Sequence, residues 1–216
     1  MKYDTILFDL DGTLLYTLED LCDSINHTLT EYGQPTRSLE EVRQFVGNGL
    51  RKLVVRALPE HEDYERFDEF LDNFIEYYNT HNLIKTKPYD TVIETTEKLE
   101  KMGIKMAIVT NKGQTASESL LDDFFRPHID IVIGDDGNHK RKPDPEPIEI
   151  ALKKLGISDK SKVLYVGDSE VDATTAENAG LDYVLCTYGF RDMDVLEQFH
   201  PVAYVDTFKS LLEVIK

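Results

Sequence analysis

Phe8-Asp9-Leu10-Asp11-Gly12-Thr13 is the stretch on which the reading of this chain turns. It follows the apolar run Thr5-Ile6-Leu7-Phe8, which has the character of a buried strand. Gly12 and Thr13 break that strand as a strand-end turn does. Side chains two apart on an extended chain point the same way, so Asp9 and Asp11 aim at one site unless the turn begins at Leu10. Two carboxylates converging at the tip of a buried strand repel each other. A divalent cation or a shared proton offsets that repulsion. The pair suits phosphoryl transfer. One carboxylate attacks phosphorus; the other protonates the leaving oxygen and then deprotonates water. A metal-binding or capping pair without catalysis is the alternative reading of the same six residues.

Outward from this stretch, short β-rich runs alternate with helical patterns. The strands are expected at Tyr3–Phe8, Lys105–Thr110, Ile129–Ile133, Lys162–Val166, Tyr183–Cys186 and Ala203–Val205. Helices are expected at Thr91–Met102, Thr115–Asp123, Pro145–Leu155, Val171–Ala179 and Phe208–Ile215. Gly103, Gly156 and Gly180 fall where three of these helices should end. The alternation argues for an α/β fold, a parallel sheet with helices on both faces.

Residues 16–84 interrupt the alternation with helical pattern alone. Leu18, Leu21, Cys22, Ile25 and Leu29 recur at helical spacing, and Ser38-Leu39-Glu40-Glu41 has the form of a capping box. Gly47-Asn48-Gly49 separates that second helix from a third. Phe67, Phe70, Leu71, Phe74, Ile75 and Tyr78 form an aromatic stripe on a fourth, read as ordinary core. The expected division is a discontinuous core, 1–15 and 85–216, with a helical module at 16–84.

The chain has 216 residues, with 24 basic against 41 acidic side chains and a net charge of -17. That balance argues against a nucleic-acid or anionic-membrane surface. It also means that an anionic substrate needs locally placed cations. Cys22 and Cys186 lack the spacing of a disulfide framework or zinc site, so buried reduced thiols are expected. No run approaches a membrane span and no leader pattern opens the chain. A cytoplasmic setting is the simplest expectation.

Ligands of open parallel sheets bind beyond the carboxyl ends of the strands. Thr110-Asn111-Lys112 lies at one such end, where a hydroxyl and an amide can meet phosphate oxygens or cap the next helix. Lys142, stiffened by Pro143 and Pro145, suits a phosphate clamp that also lets nearby carboxylates coexist; a solvated basic turn is the alternative. Lys140 and Arg141 are assigned to that solvated turn. Gly167-Asp168-Ser169-Glu170-Val171-Asp172 adds two carboxylates, hard oxygen donors that favour magnesium. Asp172 also fits a first-turn acid of a helix.

Taken together and in this order, Asp9-Leu10-Asp11-Gly12-Thr13, Thr110-Asn111, Lys142-Pro143 and Gly167 to Asp172 resemble the haloacid dehalogenase-like hydrolase superfamily, in its branch with a helical cap after the first motif. Phe45-Val46-Gly47-Asn48-Gly49-Leu50 and Tyr188-Gly189-Phe190-Arg191 extend the likeness towards phosphoglycolate phosphatases. The resemblance implies a Rossmann-like core, Asp9 as nucleophile and Asp11 as acid/base. It implies Mg2+ held by Asp9, Asp168 and the backbone carbonyl of Asp11, with Asp172 ordering its water shell. Thr110 and Lys142 would hold the phosphoryl oxygens, and Asn111 with Gly47, Asn48 and Gly49 the substrate. The substrate would be a small anionic phosphorylated metabolite, foremost 2-phosphoglycolate, and the protein a monomer or homodimer. Pyrophosphatase, sugar-phosphate phosphatase and β-phosphoglucomutase-like phosphotransferase are the nearest alternatives, and a non-catalytic binding module is a remoter one. Asp11 speaks against a dehalogenase, which needs no leaving-group acid. Tyr16 stands where relatives commonly carry Asp, a departure that bears on cap closure and substrate fit.

Overall fold

The computed structural model describes residues 1–126 and 128–216. In chain order the elements are β1 (Thr5–Phe8), β2 (Leu15–Tyr16), α1 (Leu18–Glu31), α2 (Leu39–Phe45), α3 (Leu50–Ala57), α4 (Phe67–His81) and β3 (Lys87–Pro88). Then come α5 (Val92–Lys101), β4 (Lys105–Gly113), α6 (Gln114–Phe124), β5 (Val132–Asp135), α7 (Glu146–Leu155) and β6 (Val163–Gly167). The chain finishes with α8 (Glu170–Ala179), β7 (Asp182–Cys186), α9 (Met193–Leu196), β8 (Ala203–Val205) and α10 (Leu211–Val214). The chain divides into an α/β unit, Met1–Leu15 with Pro88–Lys216, and a helical unit, Tyr16–Lys87.

The α/β unit is built on a parallel sheet of strand order β5-β4-β1-β6-β7-β8. β1 lies between β4 and β6, with Phe8 level with Ile108 on one side and Val166 on the other. Its four residues are all buried, as a strand covered on both faces must be. Ile6 and Phe8 face one core with Leu99, Leu120, Phe208 and Leu211. Leu7 faces the other with Ile148, Leu152, Ala173 and Ala176. The expected α/β alternation therefore holds. The strand expected at 129–133 begins later, at Val132, and the Ile129 N–H instead bonds to Phe125 O. The stretch 208–215 is a 3-10 turn followed by one turn of α-helix rather than a continuous helix.

In the helical unit, α1 packs along α4 and α2 along α3. Leu21, Ile25, Leu29, Phe70, Phe74 and Tyr78 are buried, so the aromatic stripe is core. Ser38 caps α2 with the reciprocal Glu41 bond of a capping box. Gly47 and Gly49, at φ 111° and 81°, make the turn into α3 with backbone that side-chain-bearing residues avoid. Both cysteines are free and buried. Among the described residues no helix is long and apolar enough to cross a membrane.

Candidate active site

The site forms where β4, β1 and β6 end side by side. Asp9 is the residue after β1, and its N–H continues the ladder to Val166 O at 2.8 Å. The turn begins immediately: Leu10 O accepts from the N–H groups of Leu14 and Leu15. The two-residue alternation is lost there, and Asp11 takes a different partner from Asp9. Lys112 Nζ lies 3.2 and 3.4 Å from the two Asp11 carboxylate oxygens. Asp9, Asp168 and Asp172 instead converge, with one carboxylate oxygen from each within 4.8 Å of the others, all three buried.

Lys142 is the cation among them. Its ammonium donates to Asp9 Oδ1 at 2.7 Å, Asp172 Oδ1 at 2.8 Å and the Tyr165 hydroxyl at 3.0 Å. The lysine is buried because Asn111 brackets its backbone, Oδ1 accepting from Lys142 N and Nδ2 donating to Lys142 O. Lys140 and Arg141 stay outside, paired with Asp144 and Asp135.

β4 runs on through Gly113, and Gly113 rather than Thr110 or Asn111 precedes α6. The helix-capping alternative for Thr110 and Asn111 is thereby excluded. Thr110 Oγ1 accepts from Lys112 N at 3.2 Å. Pairing with β5 slips between Val109 and Gly113, a bulge of the kind that re-aims side chains at a sheet rim.

At the tip of β6, Asp168 Oδ1 accepts from Thr13 Oγ1 at 3.2 Å and Oδ2 from Phe190 N at 2.7 Å. Asp172 is the third residue of α8 and forms a capping box with Ser169. Its Oδ2 accepts from Asp168 N, Ser169 N and Ser169 Oγ, while Oδ1 takes Lys142 and Tyr165. Asp172 is thus a first-turn acid of α8 that also lies in the acidic cluster.

The electrostatics follow from burial. Loss of water, then the Asp172 charge, push the Asp9 carboxyl up to about 7 against the pull of Lys142. Burial and the charges of Asp172 and Asp9 push Asp168 well above the carboxylate range. Asp172 is also buried, yet the Lys142 ammonium and the Ser169 and Asp168 donors hold it below its ordinary value. Lys142 is raised well above a free lysine because Asp172 and Asp9 outweigh its own desolvation. Two of the three acids thus still favour protons, so the cluster is short of positive charge. Buried hard oxygen donors with that deficit fit a divalent cation.

Two residues here carried no role in the sequence reading. The Thr110-Asn111-Lys112 motif gives Lys112 no role of its own, and its aim at Asp11 arises at the bulge, which no local pattern announces. Tyr165 looked like apolar strand. A tyrosine inside a fully buried strand needs a partner for its hydroxyl, and that was the available signal. The hydroxyl also reaches Val109 O at 3.2 Å. Gly47, Asn48 and Gly49 belong to the helical unit.

Residues 6–186 match the family model described as haloacid dehalogenase-like hydrolase. A phosphoglycolate phosphatase of Pseudomonas syringae pv. tomato is 37% identical, over 96% of this chain and 78% of that protein. One of Cereibacter sphaeroides is 38% identical over 90% of each. The crystal structure of a predicted phosphoglycolate phosphatase from Haemophilus somnus 129PT superposes with a TM-score of 0.92 at 30% identity, covering 100% of this chain and 99% of that one.

Proposed function

The chain belongs to the haloacid dehalogenase-like hydrolase family and is a phosphatase, and from that premise we propose that it hydrolyses 2-phosphoglycolate through an aspartyl-phosphate on Asp9, with Mg2+ as cofactor. The observation that carries the reading is a buried carboxylate at the tip of β1, 2.7 Å from a buried ammonium and converging with two further acids. The names of the relatives support the substrate.

In the first half-reaction an Asp9 oxygen attacks phosphorus as the bond from phosphorus to the ester oxygen breaks. Asp11 gives its proton to that oxygen, so glycolate leaves as the alcohol. In the second half, water attacks the phosphoryl group, its proton passes to Asp11, and the bond from phosphorus to Asp9 breaks. Lys112 pairs with the Asp11 carboxylate at 3.2 Å and would orient it for this proton exchange. Thr110 and Lys142, the latter on releasing one of its three present acceptors, would hold the phosphoryl oxygens as charge redistributes. Asp9, Asp168 and Asp172 would hold the cation, Asp172 through water because its oxygens already accept four protein donors besides the Tyr165 hydroxyl, whose proton Val109 O also competes for. The cation, when bound, offsets the repulsion between the attacking carboxylate and the phosphate. The helical unit is assigned as the cap, and the Gly47-Asn48-Gly49 turn as its substrate-binding element.

Phosphate release from 2-phosphoglycolate, pyrophosphate, hexose phosphates and p-nitrophenyl phosphate, with and without Mg2+, tests this. A kcat/KM for 2-phosphoglycolate well above the rest, lost on chelation, is the expected result. Pyrophosphate or a hexose phosphate leading the panel would overturn the substrate. Equal rates in EDTA would overturn the metal.

A further inference from the structure

Asp168 sits differently from its neighbours in the cluster. Asp172 is saturated by protein donors, whereas among the described residues each Asp168 oxygen accepts a single hydrogen bond, from Thr13 Oγ1 and from Phe190 N. A carboxylate has about four lone-pair sites, so Asp168 keeps capacity on both oxygens while its orientation is fixed. What fixes it is the loop after β7. Phe190 supplies the N–H at 2.7 Å. A Cβ on Gly189 would collide with the Asp168 side chain, so only glycine lets the loop approach this closely. Tyr188 donates to Thr13 O at 3.0 Å and steadies the residue that holds the other oxygen.

The loop is itself fastened. Arg191 Nε lies 2.7 Å from Glu170 Oε2 and Nη2 lies 3.3 Å from Oε1, a two-point clasp. The Arg191 side chain is 6% exposed and Glu170 35%, so the clasp is partly shielded from solvent rather than an open surface pair. Glu170 begins α8, two residues after Asp168. The clasp therefore closes a short circuit from β6 through Asp168 to α8 and back through the β7 loop. Without it the loop can draw away, the Phe190 N–H leaves Oδ2, and Asp168 is free to swing from the repelling charge of Asp9.

We propose that Arg191, through its clasp on Glu170, is a positioning residue that sets the affinity of Asp168 for the divalent cation. The inference rests on the metal reading of the acidic cluster. Outer partners that orient a ligating group are worth about 10–100-fold in metal affinity.

The test is calorimetric titration of Mg2+ into the purified full chain and into Arg191→Met, which keeps the apolar stem and removes the clasp. The expected result is a Kd raised about 10–100-fold, with kcat at saturating Mg2+ recovering most of the wild-type value. Glu170→Gln breaks the charge pairing from the other side and serves if Arg191→Met fails to fold. The double variant should be no worse than the poorer single one, because both remove one interaction. An unchanged Kd in the folded variants overturns the proposal, and so does a kcat that saturating Mg2+ does not restore. Asp168→Asn separates the two levels of argument. If it binds Mg2+ as tightly as the wild type, the metal reading itself is wrong; if only the clasp variants do, the positioning role alone falls.

Discussion

In the helical unit the buried carboxylate of Asp20 accepts from the backbone N–H groups of Lys85 and Thr86 at 2.8–3.0 Å, and its charge is used to fasten chain. In the α/β unit Asp9, Asp168 and Asp172 crowd one another around Lys142, and two of them are pushed towards protonation. Both arrangements bury acids, yet only the second leaves charge uncompensated. A satisfied carboxylate is architecture. A cluster poised between protons and cations can do chemistry, because a ligand that supplies positive charge or accepts attack relieves it. The same contrast runs through the cations. Lys85 in the helical unit pairs with Asp23 in solvent, at 44% side-chain exposure, and Lys142 pairs with two acids at 3%.

The sharpest way to break this contrast is at Asp9. Asp9→Asn keeps the shape and removes the carboxylate proposed as the nucleophile. Turnover should fall by at least about 10^4-fold, as for other nucleophiles removed from concerted sites. Substantial phosphate release by the purified variant would move the chemistry elsewhere. Next is the pair of lysines. Lys142→Met leaves two buried carboxylates without their counter-charge, a loss on the order of 3–5 kcal/mol, with activity lost as well. Lys85→Met should leave the melting temperature nearly unchanged, since its pair is exposed. Equal effects at the two positions would erase the distinction between the units.

Charge deficit in the cluster also makes a statement about pH. A folded Asp9 with a pKa of about 7 binds its proton more tightly than the unfolded chain, whose value is 3.8. The contribution of this group to stability is therefore present at low pH and is lost as pH rises from about 4 towards 7. Asp168 is shifted the same way. A cation that replaces the proton should stabilise most where the proton is absent. Calorimetric melting in fixed Mg2+ against EDTA should give a larger increment at pH 8 than at pH 5. A larger increment at pH 5 would show that the cluster holds its charge without help.

How much of this was legible in the sequence follows the same divide. Asp9 and Asp168 were readable because each directly follows a buried strand near a glycine, Lys142 because Pro143 and Pro145 mark its loop, and Asp172 because it lies four residues after Asp168 at the start of a helix; parallel sheets collect such strand ends on one rim. What escaped depends on departures from local regularity. Asp11 left the Asp9 cluster because the turn starts at Leu10, and Lys112 meets it across a bulge in β4. Arg191 and Glu170 lie 21 positions apart and join only because β6 and β7 are neighbours in the sheet. In the helical unit periodicity revealed helices and core, and the Ser38 box was visible outright. The Gly47-Asn48-Gly49 turn announces a backbone conformation and leaves open what meets it.

That turn gives a smaller effect. Gly47 has φ 111°, where a β-branched side chain is strained by about 1–3 kcal/mol. Gly47→Val should therefore raise KM for 2-phosphoglycolate while leaving metal affinity as it was. An unchanged KM would make the turn a connection between helices and nothing more.

The smallest effect belongs to the Ser38 box, and it sharpens the comparison from the opposite side. Ser38 Oγ accepts from Glu41 N at 3.2 Å, and Glu41 Oε2 accepts from Ser38 N at 2.8 Å. Asp172 and Ser169 make the same reciprocal pattern at the start of α8. The motif is one, but its surroundings differ. Ser38 is exposed, so Ser38→Ala should cost about 1 kcal/mol of stability and nothing in kcat. Ser169→Ala removes a 2.6 Å donor from a carboxylate that also holds Lys142, so it should lower kcat as well as stability. Urea titration and steady-state rates on the two variants measure both quantities. A matched loss of stability with an unmatched loss of rate would show that an ordinary helix cap becomes part of a reaction when its acid faces a buried charge.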